Sequence, residues 1–160
     1  MTETRKKPRS LAAMRAQLER EMFKRGVPRA LDMHLVALTR KKVVAEMRIS
    51  AKHLNRSARI NGGAIMAFAD IMGAAGTIAN LLPGYRTSTL ESKTNFFAAG
   101  TGPLLKGVAV PLHIGRTTMV WQTTVKNPDG RAVAIVTQTQ IVIPAEAPAP
   151  AKKSKQRGGK

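Results

Sequence analysis

At 160 residues and 43% hydrophobic content, the chain has the length and the apolar material for one domain with a real core. It contains no cysteine, which excludes disulfides and thiolate chemistry. Its three histidines (His34, His53, His113) lie far apart with no acidic neighbour in a recognisable pattern, so neither a metal nor another cofactor is expected. The formal net charge of +18 invites a nucleic-acid reading, but residues 51–143 carry only nine Lys/Arg, against Asp70, Glu91 and Asp129, and the other eighteen basic residues fall in the first fifty positions and the last ten.

The first eight residues are polar and basic and are expected to be disordered. They lack the apolar stretch of a secretory signal, so a cytoplasmic location is expected. From Ser10, a candidate N-cap, Leu11, Met14, Leu18, Met22 and Phe23 recur at helical spacing and stop at Gly26-Val27-Pro28. This predicts an amphipathic helix over 10–25. Met33–Leu38 and Val43–Ile49 flank the polar stretch Thr39-Arg40-Lys41-Lys42 and read as two strands joined by a turn.

Between Asn61 and Tyr85 the chain changes character, from Gly62-Gly63 through a long run of Ala, Ile, Met, Phe and Leu that closes at Pro83-Gly84. Its small-residue content predicts a helix buried around most of its circumference. A carboxylate, Asp70, together with Thr77, Asn80 and further glycines, argues against a membrane span. Thr87–Phe97, Leu104–Ile114, Thr118–Lys126 and Ala132–Ile143 read as strands, with a turn at Asn127-Pro128-Asp129-Gly130. In the last strand Val136, Gln138, Gln140 and Val142 alternate with Ile135, Thr137, Thr139 and Ile141, which suits a sheet whose second face is only partly dry. Beyond Pro144 the Ala/Pro run and the basic segment Lys152–Lys160 form a low-complexity tail. The expected organisation is therefore a domain over 9–144 between a basic N-terminus (1–8) and a disordered tail (145–160). Its fold class is α+β, an antiparallel sheet wrapped around one long buried helix.

Asp70 is the residue of most chemical interest. It lies about two turns into the apolar helix with no Lys or Arg at helical spacing, and a desolvated, unpaired carboxylate is a candidate general base. A buried Asp satisfied by backbone or hydroxyl groups is the alternative. Asn61-Gly62-Gly63 before the helix would leave amide N–H groups at its positive end, able to polarise a carbonyl. Gly-Gly at a helix start otherwise serves a tight turn or a close strand contact.

These residues resemble a known family, the PaaI-type hot-dog thioesterases. Asn55, Asn61-Gly62-Gly63 and Ala69-Asp70 are similar to that family's Asn, His-Gly-Gly and Ala/Val-Asp at matching separations. Thr89-Leu90-Glu91-Ser92-Lys93-Thr94-Asn95-Phe96-Phe97 resembles its following strand, and His113-Ile114-Gly115-Arg116 and Asp129-Gly130 fall where the family has its later motifs. Two positions depart from the pattern: Asn61 stands in place of His, and Ala99 where Pro is usual.

The resemblance, which covers roughly residues 30–143, implies a hot-dog fold and hydrolysis of an acyl-CoA or aryl-acyl-CoA to the acid and CoA. It implies that Asp70 activates water or attacks the thioester, that Thr89 orients the water, and that Asn55 and the Gly62 amide hold the thioester oxygen. Asn61 and Gly63 are expected at the substrate, and Arg116 against CoA phosphates, unless it is an ordinary surface arginine. The implied assembly is a homodimer or homotetramer with active sites at the dimer interface. Two other classes stay open: a non-catalytic acyl-CoA sensor on the same fold, and a nucleic-acid binder acting through its basic tails. The scarcity of aromatic residues, with one Trp, one Tyr and four Phe, argues against the latter.

Overall fold

In the stretch Val43–Arg48, Val43, Ala45 and Met47 are fully buried, Val44 and Glu46 half-buried and Arg48 exposed, which is the two-residue period of a strand with one dry face. The same alternation builds the whole sheet. The computed structural model describes residues 10–145, so the expectations for residues 1–8 and for the tail beyond Ala145 lie outside the described residues. Six strands, β1 (Met33–Leu38), β2 (Val43–Arg48), β3 (Tyr85–Phe96), β4 (Leu104–Ile114), β5 (Thr118–Lys126) and β6 (Ala132–Pro144), form one antiparallel sheet in the order β1-β2-β4-β5-β6-β3. β3 therefore lies at an edge, paired with β6 alone among the described strands.

The first helix is shorter than its apolar spacing suggested. Ser10 caps it through a hydrogen bond accepted from the Ala13 amide, and α1 runs over Leu11–Leu18 before widening into a π-helical turn at Glu19–Phe23. Gly26-Val27-Pro28 does not end helical structure. The chain turns at Gly26, with φ of +53°, and forms a second short helix, α2 (Gly26–Ala30). Pro28 is tolerated there because the first turn of a helix has no use for its missing N–H. Met14, Leu18 and Phe23 are buried and join the main core.

The long apolar stretch forms α3 (Gly62–Ile78), which packs against β2, β3, β4, β5 and β6. Ile65, Phe68, Ala69, Met72, Ala75 and Gly76 are buried on the sheet side, and each large apolar side chain so covered contributes about 1.5–3 kcal/mol. Gly76 is required by close approach: a Cβ there would lie 2.6–2.8 Å from the buried ring of Trp121. The helix stops at Ile78, earlier than the apolar run does. The Asn80 amide donates at 2.9 Å to the carbonyls of Gly76 and Arg40, closing the C-terminal end onto the β1–β2 turn. Among the described residues no helix is long and apolar enough to cross a membrane. A sheet wrapped round a single central helix is the hot-dog arrangement, with the N-terminal helices as an addition.

One strip of α3 is left uncovered. Met66 is exposed, and Ala67, Asp70, Ala74 and Ile78 are half-buried, a spacing of three to four residues that runs beside the inner face of β3.

Candidate active site

Asp70 is the one charged side chain on that strip. The sequence presented it as an unpaired, desolvated carboxylate, but it is half-buried and held by two donors. The Thr89 hydroxyl donates to Oδ1 at 3.0 Å, and the Gln138 amide donates to Oδ1 at 3.3 Å and to the Asp70 carbonyl at 3.0 Å. No ion pair reaches Asp70 among the described residues. The arrangement leaves Oδ2 without a hydrogen-bond partner among those residues, so the carboxylate is fixed through one oxygen and open through the other.

A bulge aims Thr89 at the helix. In the β3–β6 register Thr89 faces Gln140 and Glu91 faces Thr139, with Leu90 as the extra residue. Thr87 and Thr89 consequently point inward with Gln140, whereas Glu91 turns outward and accepts a 2.9 Å hydrogen bond from the Thr139 hydroxyl. In an unbroken strand Thr89 and Glu91 would share a face, so the extra residue separates a wall facing α3 from a wall facing solvent.

The residues at the start of α3 form a second cluster. Asn61 is the N-cap, and its Oδ1 accepts the Gly63 amide at 2.7 Å. The Gly63 N–H, expected at the substrate, is therefore occupied, and of the two glycines it is Gly62 that keeps its N–H at the helix terminus. Asn61 keeps its amide NH₂ for a ligand. The ring of Phe96 lies over Gly62, 3.2 Å from where a Cβ would be. Asn55 sits in the loop just before this terminus. Its Oδ1 accepts the backbone N–H groups of Ser57 and Arg59 at 2.9 and 3.1 Å, and its own backbone N–H donates to the Arg59 carbonyl at 2.7 Å. That loop geometry uses the side-chain oxygen of Asn55 and leaves the exposed NH₂ as its donor.

Arg116 lies elsewhere. It lines a cavity of about 300 Å³ with Asn80, Leu82, Tyr85, Ile114 and Met119, beyond the C-terminal end of α3. The single chain thus unites Asp70 with Thr89, gathers Asn55, Asn61 and Gly62 at one end of the helix, and places Arg116 at the other.

The histidines are structural or solvated. His53 is buried, with Nδ1 accepting the Ser50 amide and Nε2 3.3 Å from the Ala30 carbonyl. His34, which the sequence left without an acidic partner, sits exposed 3.0 Å from Asp32. No cluster of potential ligands that could hold a metal ion occurs among the described residues.

Sequence reasoning missed Gln138 and Gln140. Both are fully buried on the inner face of β6, and both reach the Asp70–Thr89 pair. Their signal was present: two glutamines at a two-residue spacing, on the face of the strand that Val136 and Val142 mark as apolar. Gly73 makes room for the first of them, since a Cβ at Gly73 would lie 2.5–2.6 Å from the Gln138 amide nitrogen and oxygen.

A hot-dog fold that presents a fixed carboxylate on an uncovered helix strip fits a small hydrolase, and comparison with known proteins points the same way. The thioesterase superfamily model matches residues 58–134, a span that includes Gly62, Asp70 and Thr89. A putative esterase from Bacillus subtilis, ComA2, is 30% identical over 117 residues, covering 71% of this chain and 91% of that protein. A putative esterase from Vibrio cholerae is 34% identical over 83 residues, 52% of this chain, but the chain spans only 55% of that relative's length. Among solved structures, a hypothetical thioesterase from Streptococcus pneumoniae bound to coenzyme A superposes with a TM-score of 0.65 at 25% identity, covering 72% of this chain and 88% of that one. The chain belongs to the thioesterase superfamily, and it is an enzyme of the thioester-hydrolysing kind.

Proposed function

We propose that this protein hydrolyses an acyl-CoA or aryl-acyl-CoA thioester to the free acid and CoA, with Asp70 as general base. The observation that carries the reading is the carboxylate itself, anchored through Oδ1 by Thr89 and Gln138 and open through Oδ2 on the uncovered strip of α3. A water bound at Oδ2 gives up a proton to the carboxylate as its oxygen bonds to the acyl carbon. The carbonyl oxygen becomes an oxyanion held by the Gly62 N–H and the Asn55 NH₂, with Asn61 at its rim. Collapse breaks the C–S bond and the departing thiolate takes a proton from Asp70. The coenzyme A seen with the Streptococcus pneumoniae relative supports CoA as the carrier.

The base and the oxyanion donors of one chain do not form a single site. Eight helical steps separate Gly62 from Asp70, or about 12 Å along the axis, whereas both must lie roughly 3 Å from adjacent atoms of the reacting group. A two-fold partner with its α3 antiparallel would bring its Asp70 to the first chain's Gly62. The edge position of β3, the exposure of Leu90 and Phe97 in and just after it, and the exposure of Met66 on the uncovered strip of α3 favour such pairing. The same operation would carry the partner subunit's Arg116 toward the Asn55 loop, the side on which a CoA phosphate contact by that residue would have to fall.

The test is a panel of short, medium, long and aromatic acyl-CoAs assayed with the wild-type protein and Asp70→Asn. The variant should lose at least ~100-fold in turnover while keeping its melting temperature. Near-wild-type hydrolysis by Asp70→Asn would refute the assignment. Acyl-CoA binding without turnover in the wild type would instead mark the chain as a sensor.

A further inference from the structure

Taking the reading of Asp70 as the base, we infer that Gln140 is a positioning residue that sets the direction of the Thr89 hydroxyl, and that it does so through an unbroken hydrogen-bond chain reaching back to the strand edge. The chain is short and complete. The Thr87 hydroxyl lies 2.9 Å from both Gln140 Oε1 and the Ile141 carbonyl, Gln140 Nε2 lies 2.7 Å from Thr89 Oγ1, and Thr89 Oγ1 lies 3.0 Å from Asp70 Oδ1. Gln140 is wholly buried, so water does not compete for its amide.

Which way each proton points follows from charge. A hydroxyl has one proton, and the ionised Asp70 carboxylate is the strongest acceptor within reach of Thr89, so it takes that proton. Thr89 Oγ1 can then meet Gln140 only as an acceptor, and Gln140 must present its NH₂ to Thr89 and its Oε1 to Thr87. The reverse amide orientation would set Gln140 Oε1 against the Asp70 carboxylate for the single Thr89 proton; in the orientation present the shared proton is that of Thr87, between two neutral oxygens, Gln140 Oε1 and the Ile141 carbonyl, where the oxygen–oxygen contact costs less than one against a charge.

Two consequences follow at the reacting centre. Asp70 Oδ1 is saturated by Thr89 and Gln138, so Oδ2 alone faces the water. Thr89 Oγ1, having given its proton away and accepted one from Gln140, keeps one lone pair that accepts from the same water. A water gripped by two acceptors has both its protons engaged and turns a lone pair toward the acyl carbon. Gln140 touches neither water nor substrate in this scheme and acts only through Thr89.

That last property gives the test. Gln140→Met keeps the volume and removes both polar ends. It should lower kcat about tenfold, the equivalent of one hydrogen bond to a group coupled to charge, with KM unchanged within about twofold. In a Thr89→Val background the same substitution should lower kcat no further, because the hydroxyl it orients is gone, while in a Thr89→Ser background, which keeps the hydroxyl, the full effect should return. Wild-type kcat in Gln140→Met would overturn the proposal. So would a loss of equal size with Val or Ser at position 89, which would mean that Gln140 serves packing alone. Asp70→Asn assayed alongside separates the two readings. If Asp70→Asn stays active, the assignment of the base fails. If it is inactive and Gln140→Met is not impaired, the relay alone fails.

Discussion

Gly73→Ala sets helix propensity against packing at the point where α3 meets β6. In an exposed helix the exchange would stabilise by about 1 kcal/mol, because alanine loses less backbone entropy on folding. Here the new methyl would lie 2.5 Å from Gln138 Nε2 and 2.6 Å from Oε1, well inside contact distance, against a side chain with no exposed surface into which to retreat. Moving Gln138 aside breaks its hydrogen bonds to the Asp70 carbonyl and carboxylate. Overpacking of this kind costs about 1–3 kcal/mol and the lost bond to a charged group about 1.5–3 kcal/mol. Packing therefore wins over propensity, for a net destabilisation of about 1.5–5 kcal/mol.

For a chain of this size each kcal/mol corresponds to about 2–4 °C in melting temperature, so thermal unfolding should show a drop of several degrees. The kcat should fall by roughly tenfold as the carboxylate loses one of its two anchors. Gly76→Ala provides the comparison. Its methyl would meet the Trp121 ring at 2.6–2.8 Å, so it should destabilise similarly, but it has no link to Asp70 and should leave kcat at the wild-type value below its melting transition. A Gly73→Ala protein with raised melting temperature and full activity would show that Gln138 is not wedged between helix and sheet, and the reasoning would fail.

Two further predictions concern assembly and boundaries. An Asp70→Ala chain and an Asn55→Ala chain, each poorly active alone, should together recover about half of wild-type activity per purified heterodimer, because one composite site is then intact; an inactive heterodimer, or an active protein that sediments as a monomer, would rule out the shared site. A chain trimmed to residues 9–144 should stay soluble and active, since the basic ends are too poor in apolar residues to add to the core, and unfolding on trimming would place those ends against it.

What could be read from the amino acids was whatever repeats with a period. The strand alternation in Val43–Arg48 and the long apolar run containing Asp70 gave the sheet and its central helix, with strand limits within two residues of those observed. What could not be read were departures from period. The bulge at Leu90 adds one residue to a strand and leaves no compositional mark. The π-helical turn at Glu19–Phe23 shifts helical spacing by a fraction of a turn, and Gly26-Val27-Pro28 reads as a stop because proline usually ends a helix, yet Pro28 opens one. At the site, Asp70 stood out as the only charge in its helix, whereas Gln138 and Gln140 carry no charge and depend on a partner 68 or 51 residues away to acquire meaning. The occupied Gly63 amide was likewise invisible, since only the observed cap tells which of two adjacent glycines keeps its N–H.

The extra residue at Leu90 also bears on how this enzyme can change over time. Upstream of it the odd-numbered positions Thr87 and Thr89 face the helix. Downstream the parity inverts, and Ser92, Thr94 and Phe96 face inward opposite Gln138, Val136 and Ala134. β3 is thus two short strands in different phase, one wall beside the carboxylate and one leading to the helix start at Gly62. Substitutions can accumulate in either segment without rotating the other. Loss of Leu90 alone would leave both walls as they are, because the pairs Thr89–Gln140 and Glu91–Thr139 would then follow one another in regular alternation, whereas loss or gain of a residue within either segment would turn part of its wall inside out, whatever the replacement side chains. Length in this stretch is therefore more tightly constrained than composition.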